Sequence, residues 1–187
     1  MESLVGKLLI AMPSLRDPNF RRSVVLLGAH SLQGGAFGLI VNRPIAVDLS
    51  DILDELGLET PPTELPRVLA GGPVEPSHGF VLSEPGDLPV EDDVLVLAAG
   101  LSVSGSTDTL AAYVAGERPG RFSLVLGYSG WSSGQLETEI EENSWLVAPA
   151  TASIIFDIPY DDRWVAALNS IGVDPGTLVD FGSSTPV

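Results

Sequence analysis

Short apolar runs, separated by glycine, proline and polar turns, dominate the hydrophobic pattern of this chain. Residues 7–12 form the first run, and residues 23–30 and 37–42 form two more that are joined by the turn Gly34-Gly35. Two β-branched runs around a glycine turn are typical of a β-hairpin. Further strands are predicted at residues 67–69, 79–83, 94–97, 122–128, 145–148 and 153–156.

Four other segments follow the helical period. In residues 47–57 the apolar side chains recur at the spacing of one helix face, and Gly57 is a typical C-terminal stop. The other predicted helices are residues 106–115, 135–143 and 161–171. Because the strands cluster in hairpins instead of alternating with helices, the pattern favours an α+β domain. Its sheet would be mixed but mainly antiparallel, with about four flanking helices.

The domain organisation is predicted to be simple. No repeat, low-complexity tract or long linker divides the 187 residues, so we expect one domain over residues 1–187 with its core at about residues 6–181. Residues 84–93 form an acidic loop, and the tail from Gly182 carries little that could be buried. The predicted core side chains are apolar members of successive elements: Leu26, Ile40, Leu53, Leu97, Leu126, Phe156 and Leu168.

The charge balance disfavours direct nucleic-acid binding. The chain has 9 basic and 25 acidic side chains and a formal net charge of −16. Non-specific affinity for DNA comes mostly from Lys and Arg that neutralise phosphates. The basic residues are also scattered, apart from Arg16 and the pair Arg21-Arg22.

The chain also lacks the usual signatures of a membrane or exported protein. Its longest apolar runs have the length of strands, far below the ~20 residues that span a bilayer. Residues 1–7 do not form a basic region followed by an apolar core, so we expect a cytoplasmic protein without membrane contact. The absence of cysteine excludes disulfides, thiolate nucleophiles and cysteine-based zinc sites.

One motif matches that of a hydrolase. Residues 130–134 fit the pattern G-x-S-x-G, in which the serine, here Ser132, would be the nucleophile. Both histidines, His30 and His78, precede this serine, whereas α/β-hydrolases place the catalytic histidine after it. Acidic side chains at the start of the following predicted helix would also oppose an oxyanion. The pattern therefore favours a tight turn over a nucleophile.

The remaining patterns predict no metal and no cofactor. Neither histidine has a second ligand at metal-binding spacing. The carboxylates at residues 48–54 and 91–93 do not form a calcium loop and are typical of solvated faces. The glycine-containing segment at residues 100–106 lacks the lysine of a phosphate-binding loop.

Three turns that follow strands provide a candidate binding groove. They offer a guanidinium, glycines that allow close backbone approach and an indole surface, with polar side chains one helical turn beyond. The candidate residues are Asn42, Arg43, Gly71, Gly72, Trp131, Gln135 and Glu139. In the alternative interpretation, Trp131 belongs to the core and Arg43 pairs with an acidic neighbour such as Glu139.

Several spaced motifs, in one order along nearly the whole chain, resemble those of the YqgE/AlgH family of bacterial proteins. They are residues 6–13, 17–20, 38–44, 71–74, 127–131, 134–137, 145–147 and 156–159. The resemblance implies a single α+β domain whose split sheet is curled into a pseudo-barrel. It implies no catalytic residue, ligand or cofactor, and its members commonly have Gly-Pro-Gly where this chain has Ser132 and its neighbours.

Two function classes follow. The first is a non-enzymatic binding or regulatory module that acts through protein contacts with an unknown partner; the family is in places labelled a transcriptional regulator. The second is an unrecognised enzyme, with a hydrolase as the first candidate. The sequence favours the first class because no constellation of catalytic side chains accompanies Ser132.

Overall fold

The computed structural model describes residues 2–84 and 94–178. Nine strands are found in these residues: β1 Lys7–Ala11, β2 Val24–Ser31, β3 Gly35–Ile40, β4 Leu69–Ala70, β5 Val74–Ser83, β6 Val94–Val96, β7 Ser102–Ser104, β8 Phe122–Trp131 and β9 Trp145–Pro149. The α-helices are α1 Leu49–Glu55, α2 Thr107–Val114, α3 Gln135–Glu141 and α4 Arg163–Ser170. Shorter helical turns are Ala98–Gly100, Ser153–Asp157, Tyr160–Asp162 and Pro175–Thr177.

The strands form one sheet in the order β6-β7-β5-β8-β3-β2-β1-β9, and every neighbouring pair along this path is antiparallel. The short strand β4 lies off the path and pairs in parallel with β8. The curled, mainly antiparallel sheet with its flanking helices confirms the predicted α+β class.

The sheet is split where β4 enters it. The N–H of Gly71, directly after β4, donates to the carbonyl of Leu126 in β8, at 2.8 Å. The carbonyl of Gly71 accepts from the N–H of Ile40 in β3, at 2.9 Å. Beyond this point β3 pairs directly with the last residues of β8. The segment that carries β4 therefore separates β3 from the first half of β8.

The core consists of three apolar clusters instead of one. Five of the predicted core residues are buried: Leu26, Ile40, Leu53, Leu97 and Leu168. The other two, Leu126 and Phe156, are only partly buried and pack at the margins of two clusters. No helix in the described part of the chain is both long and apolar enough to cross a bilayer.

The elements differ from the predictions in a few places. β8 continues three residues beyond its predicted end, to Trp131, and β5 begins five residues earlier, at Val74. The glycine-containing segment at residues 100–106 holds strand β7. The predicted loop at 84–93, with the carboxylates 91–93, lies outside the described residues except for Glu84, as does the tail from residue 179.

The predicted strand at residues 153–156 is wrong, because this segment is a π-helical turn, Ser153–Asp157. Its apolar residues Ile154 and Ile155 are adjacent and both buried, a pattern that short strands and short helical turns share. The hydroxyl of Thr151 accepts the N–H of Ile154, at 3.2 Å, and so stabilises the turn.

Candidate functional site

Asn42 and Arg43 follow β3 and hold the loop between β1 and β2. The amide of Asn42 donates to the carbonyl of Arg22, and its oxygen accepts the N–H of Val24, both at 2.9 Å. The guanidinium of Arg43 donates to the carbonyls of Asn19 and, at 2.7 Å, of Arg21. Both side chains therefore act as caps for the backbone of residues 16–23, which we call the β1–β2 loop.

Arg43 is partly buried. Burial lowers the pKa of its guanidinium, and the nearby carboxylate of Asp17 opposes that shift. The partners of Arg43 are backbone carbonyls, not the carboxylate of Glu139 that the alternative interpretation assigned to it.

The paired glycines lie against β8. A Cβ added to Gly71 would be 2.4 Å from the carbonyl oxygen of Gly127, and one added to Gly72 would be 2.2 Å from that of Tyr128. No Cβ fits at such distances, so these glycines are needed for one backbone to approach another. Their position explains how β4 can enter between β3 and β8.

The indoles of Trp131 and Trp145 share one carboxylate. Both N–H groups donate to Oε2 of Glu139, at 2.9 and 2.8 Å. The other carboxylate oxygen accepts from the amide of Gln135, at 2.9 Å. The rings meet edge to face with centroids 5.9 Å apart. Trp131 is 6% exposed, so its surface is packed within the protein, as the alternative interpretation expected.

Phe20 connects the two halves of the predicted site. This residue belongs to the β1–β2 loop, and its ring centroid lies 6.1 Å from that of Trp131 and 5.7 Å from that of Trp145. The structure therefore brings Asn42 and Arg43 to the same loop as Trp131, while Gly71 and Gly72 act between strands. Whether a partner binds at these residues stays a prediction.

Ser132 lies in the turn after β8 and is exposed. Its backbone N–H and its hydroxyl both donate to the amide oxygen of Gln135, at 3.0 and 3.2 Å. This local arrangement is typical of a strand-to-helix turn. The hydrolase hypothesis has no imidazole at this hydroxyl to support it.

His30 belongs to a buried pair that sequence reasoning missed. Its imidazole is 2% exposed, and its Nε2 lies 2.7 Å from Oε1 of Glu137. Its Nδ1 accepts the N–H of Leu4, at 3.1 Å, so the proton is on Nε2. The pair joins the N-terminal segment, β2 and α3. The spacing of 107 residues leaves no local signal in the sequence.

Hydrogen bonding lowers the pKa of Glu137: its own backbone N–H contributes most, burial opposes it, and His30 adds to it. A lowered pKa contributes stability that is present above the unfolded value, 4.5, and is lost as the pH falls through the folded value. We therefore expect the stability of Glu137→Gln to fall less than that of the wild type as the pH is lowered below about 4.5. Urea unfolding between pH 3 and 7 measures this, with the exposed Glu141→Gln as control. Parallel pH profiles for both variants would contradict it.

A groove of about 550 Å³ lies between α1, β5 and the start of α2. This volume is in the range of ligand sites. Its floor and walls are formed by Val47, Asp51, Ile52, Glu55, Leu56, Pro76, Ser77, His78, Gly79, Val81, Gly105, Ser106, Thr107, Leu110, Leu124 and Leu126. None of the seven candidate residues contributes to it. The one sequence feature that could have indicated this groove is Leu56, the last apolar residue of the α1 hydrophobic face. In the structure it is 45% exposed.

The groove is apolar with an acidic rim. Val47 and Leu56 are among the large hydrophobic residues that remain exposed, and both lie at the groove. Asp51 and Glu55 are the acidic side chains among the described lining residues, which include neither Lys nor Arg. His78, an exposed residue of β5, packs on Phe80 with ring centroids 4.7 Å apart. In the described part of the chain, no three His, Asp or Glu side chains cluster in a way that could hold a metal ion.

Comparison with known proteins assigns the chain to a family. A family model described as AlgH-like matches residues 8–176. A UPF0301 protein of Xanthomonas campestris is 43% identical over 180 residues, which are 95% of this chain and 94% of the relative. One of Magnetococcus marinus is 44% identical over 179 residues, with the same shares. The chain belongs to the AlgH-like family.

Solved structures agree with this assignment. The solution structure of the AlgH protein from Pseudomonas aeruginosa is 40% identical and superposes with a TM-score of 0.75, covering 92% of this chain and 90% of that one. The crystal structure of a protein from Corynebacterium diphtheriae is 26% identical, with a TM-score of 0.70, covering 90% and 87%. The resemblance in sequence motifs is thus confirmed over most of the fold.

Proposed function

We propose that this protein is a non-enzymatic binding module that acts in the cytoplasm through protein contacts. Its ligand is an extended segment of a partner protein, held in the groove between α1, β5 and α2. The segment combines apolar anchor side chains with basic side chains.

The observation that carries this proposal is the free edge of β5 beside the groove. β7 pairs with β5 only at Val81–Ser83, while β8 pairs along the opposite edge at Val74 and Gly79–Ser83, with a bulge between these two positions. Within the described residues, no strand covers the β7-side edge before Val81, and this stretch, including His78 and Gly79, forms one wall of the groove. Extended peptides bind to other proteins by adding a strand at such an edge, with alternate side chains entering a neighbouring pocket.

The groove also sets the chemistry of the partner. Leu124, Leu126 and Leu110 provide an apolar surface for one row of side chains. The carboxylates of Asp51 and Glu55 at the rim favour Lys or Arg in the other row, because opposite charges are paired across protein interfaces. An influence on transcription would then pass through a protein partner and not through contacts with DNA.

A defined peptide tests the proposal. We expect an acetylated peptide of alternating valine and lysine to shift amide resonances at residues 47–56 and 77–79, while the same peptide with glutamate in place of lysine does not. Leu56→Ser should weaken binding about tenfold, because the exposed half of the Leu56 side chain loses an apolar contact worth roughly 1.4 kcal/mol.

The control is Leu32→Ser, since Leu32 is 51% exposed in the turn between β2 and β3, outside the groove. Equal effects of the two serine variants, or shifts confined to residues away from the groove, would refute this site.

A further inference from the structure

Positive charge is concentrated on the β1–β2 loop of this acidic protein. Arg16, Arg21 and Arg22 are all exposed on this loop, in a chain with only nine basic side chains. The guanidinium of Arg22 lies 4.4 Å from the ring centroid of Trp164 in α4. No carboxylate lies within ion-pair distance of these three arginines in the described part of the chain.

Several backbone oxygen atoms of the loop accept hydrogen bonds within the protein. The carbonyls of Asn19, Arg21 and Arg22 accept from Arg43 and Asn42, as described above. The carbonyl of Phe20 accepts the N–H of Ser23, at 3.0 Å. Since these acceptors are used within the protein, the outer surface of the loop presents mainly guanidinium donors.

The loop's own carboxylate, on the exposed Asp17, makes a local hydrogen bond. Oδ1 of Asp17 accepts the N–H of Asn19, at 2.9 Å, and the backbone carbonyl of Asp17 accepts the N–H groups of Phe20 and Arg21. Its charge acts on Arg43 below the loop. Asp17 therefore shapes the turn and does not pair with the exposed arginines.

The backbone of Arg22 is held in an uncommon conformation. Its φ of 53° lies in the left-handed region, which non-glycine residues rarely adopt. Such strain persists where the surrounding contacts determine it, and it concentrates at functional segments. Here Asn42 fixes the carbonyl of Arg22, and Trp164 receives its guanidinium. Arg22 is thus held through both its backbone and its side chain.

From this arrangement we infer that the β1–β2 loop is a docking surface for an acidic segment of a partner protein, separate from the groove. Guanidinium groups bind carboxylates through paired, charge-assisted hydrogen bonds. A nucleic acid fits less well, because a long polyanion extends beyond the loop over a surface of net charge −16. A short acidic segment contacts the loop alone, so it meets less of the acidic surface than a long polyanion does. In this assignment Asn42, Arg43 and Trp131 are positioning residues that support the loop from below.

The test uses the full chain and a fluorescein-labelled peptide of ten glutamates, with binding followed by fluorescence anisotropy at low ionic strength. We expect measurable binding that weakens as salt is added. The double variant Arg16→Glu/Arg21→Glu should raise Kd at least tenfold. The control with the same change in net charge is Lys7→Glu/Arg67→Glu, whose positions are exposed and lie outside the loop; it should change Kd less than threefold. Leu56→Ser should leave this binding unchanged, which separates the loop from the groove.

Three results would overturn the assignment: no binding of the peptide at low salt, equal losses in the two double variants, or tighter binding of a ten-nucleotide DNA that depends on Arg16 and Arg21. Thermal unfolding of both double variants identifies any loss that comes from misfolding. If the loop variant unfolds early, the anisotropy titration is repeated with Arg16→Gln/Arg21→Gln, which removes the charges without reversing them and should raise Kd at least threefold. A smaller change for this variant would also overturn the assignment.

Discussion

Replacing Trp145 by alanine should lower the free energy of unfolding by about 3–5 kcal/mol. The side chain is 2% exposed, its indole N–H donates to Glu139, and its ring contacts those of Phe20 and Trp131 edge to face. The truncation leaves a cavity among these rings and removes one of two indole donors from a half-buried carboxylate. Urea unfolding at pH 7 measures the loss.

Trp145→Phe is the matched control for this prediction. It keeps most of the ring packing and removes only the donor to Glu139, so it should cost roughly 1–3 kcal/mol. If Trp145→Ala unfolds at nearly the wild-type urea concentration, the aromatic cluster around Glu139 is not a stabilising core. Trp131 offers a second comparison, in the variants Trp131→Ala and Arg43→Ala. If both variants stay stable and still bind the partners of the wild type, the prediction of a binding site at these residues is wrong.

Replacing Gly72 by alanine should be comparably severe, with an expected loss of about 2–6 kcal/mol from overpacking and backbone strain together. The added Cβ would lie 2.2 Å from the carbonyl oxygen and 2.3 Å from the carbonyl carbon of Tyr128, and both atoms are backbone that cannot rotate away. The φ of Gly72, 154°, adds strain for any side chain. The N–H of the neighbouring Gly71 links β4 to β8, so we expect this variant to weaken the pairing of β4 with β8.

The variant Gly57→Ala separates the cost of backbone strain from the cost of steric contact. Gly57 has a φ of 71° after α1, and a Cβ there meets nothing within 4 Å. It should therefore cost only about 1–2 kcal/mol for the left-handed conformation. Chemical denaturation of the two variants under the same conditions gives the comparison. Equal losses would mean that the close approach of Gly72 to β8 is not what requires glycine there.

The hydrophobic pattern was informative wherever an element depends on its own neighbours. Helix α2 begins after Ser106, whose hydroxyl accepts the N–H of Asp108, and the pattern places the helix start at that residue. Gly57 and Gly172 follow α1 and α4 with φ of 71° and 75°, as stop residues do. The prediction failed at residues 153–156, because an apolar pair of isoleucines fits a strand and a helical turn equally well.

The candidate site was harder to predict because its contacts are long-range. Arg43 was predicted as a candidate binding residue, yet its partners are carbonyls 22 and 24 residues away, and carbonyls carry no side-chain signature. The pair of His30 and Glu137 is separated by 107 residues. The groove needs α1, β5 and α2 side by side, and β5 was predicted to begin only at residue 79, after three residues of its wall, Pro76, Ser77 and His78.

The sequence by itself therefore determined the α+β class, most elements, the family and the acidic character, since these follow from local periodicity, turn residues and composition. The tertiary structure decided that Trp131 is buried on Glu139, that Asn42 and Arg43 support the β1–β2 loop, and that the open groove lies elsewhere. The physical reason is that hydrogen bonding to backbone groups and burial against distant strands depend on the path of the whole chain, which no local pattern records.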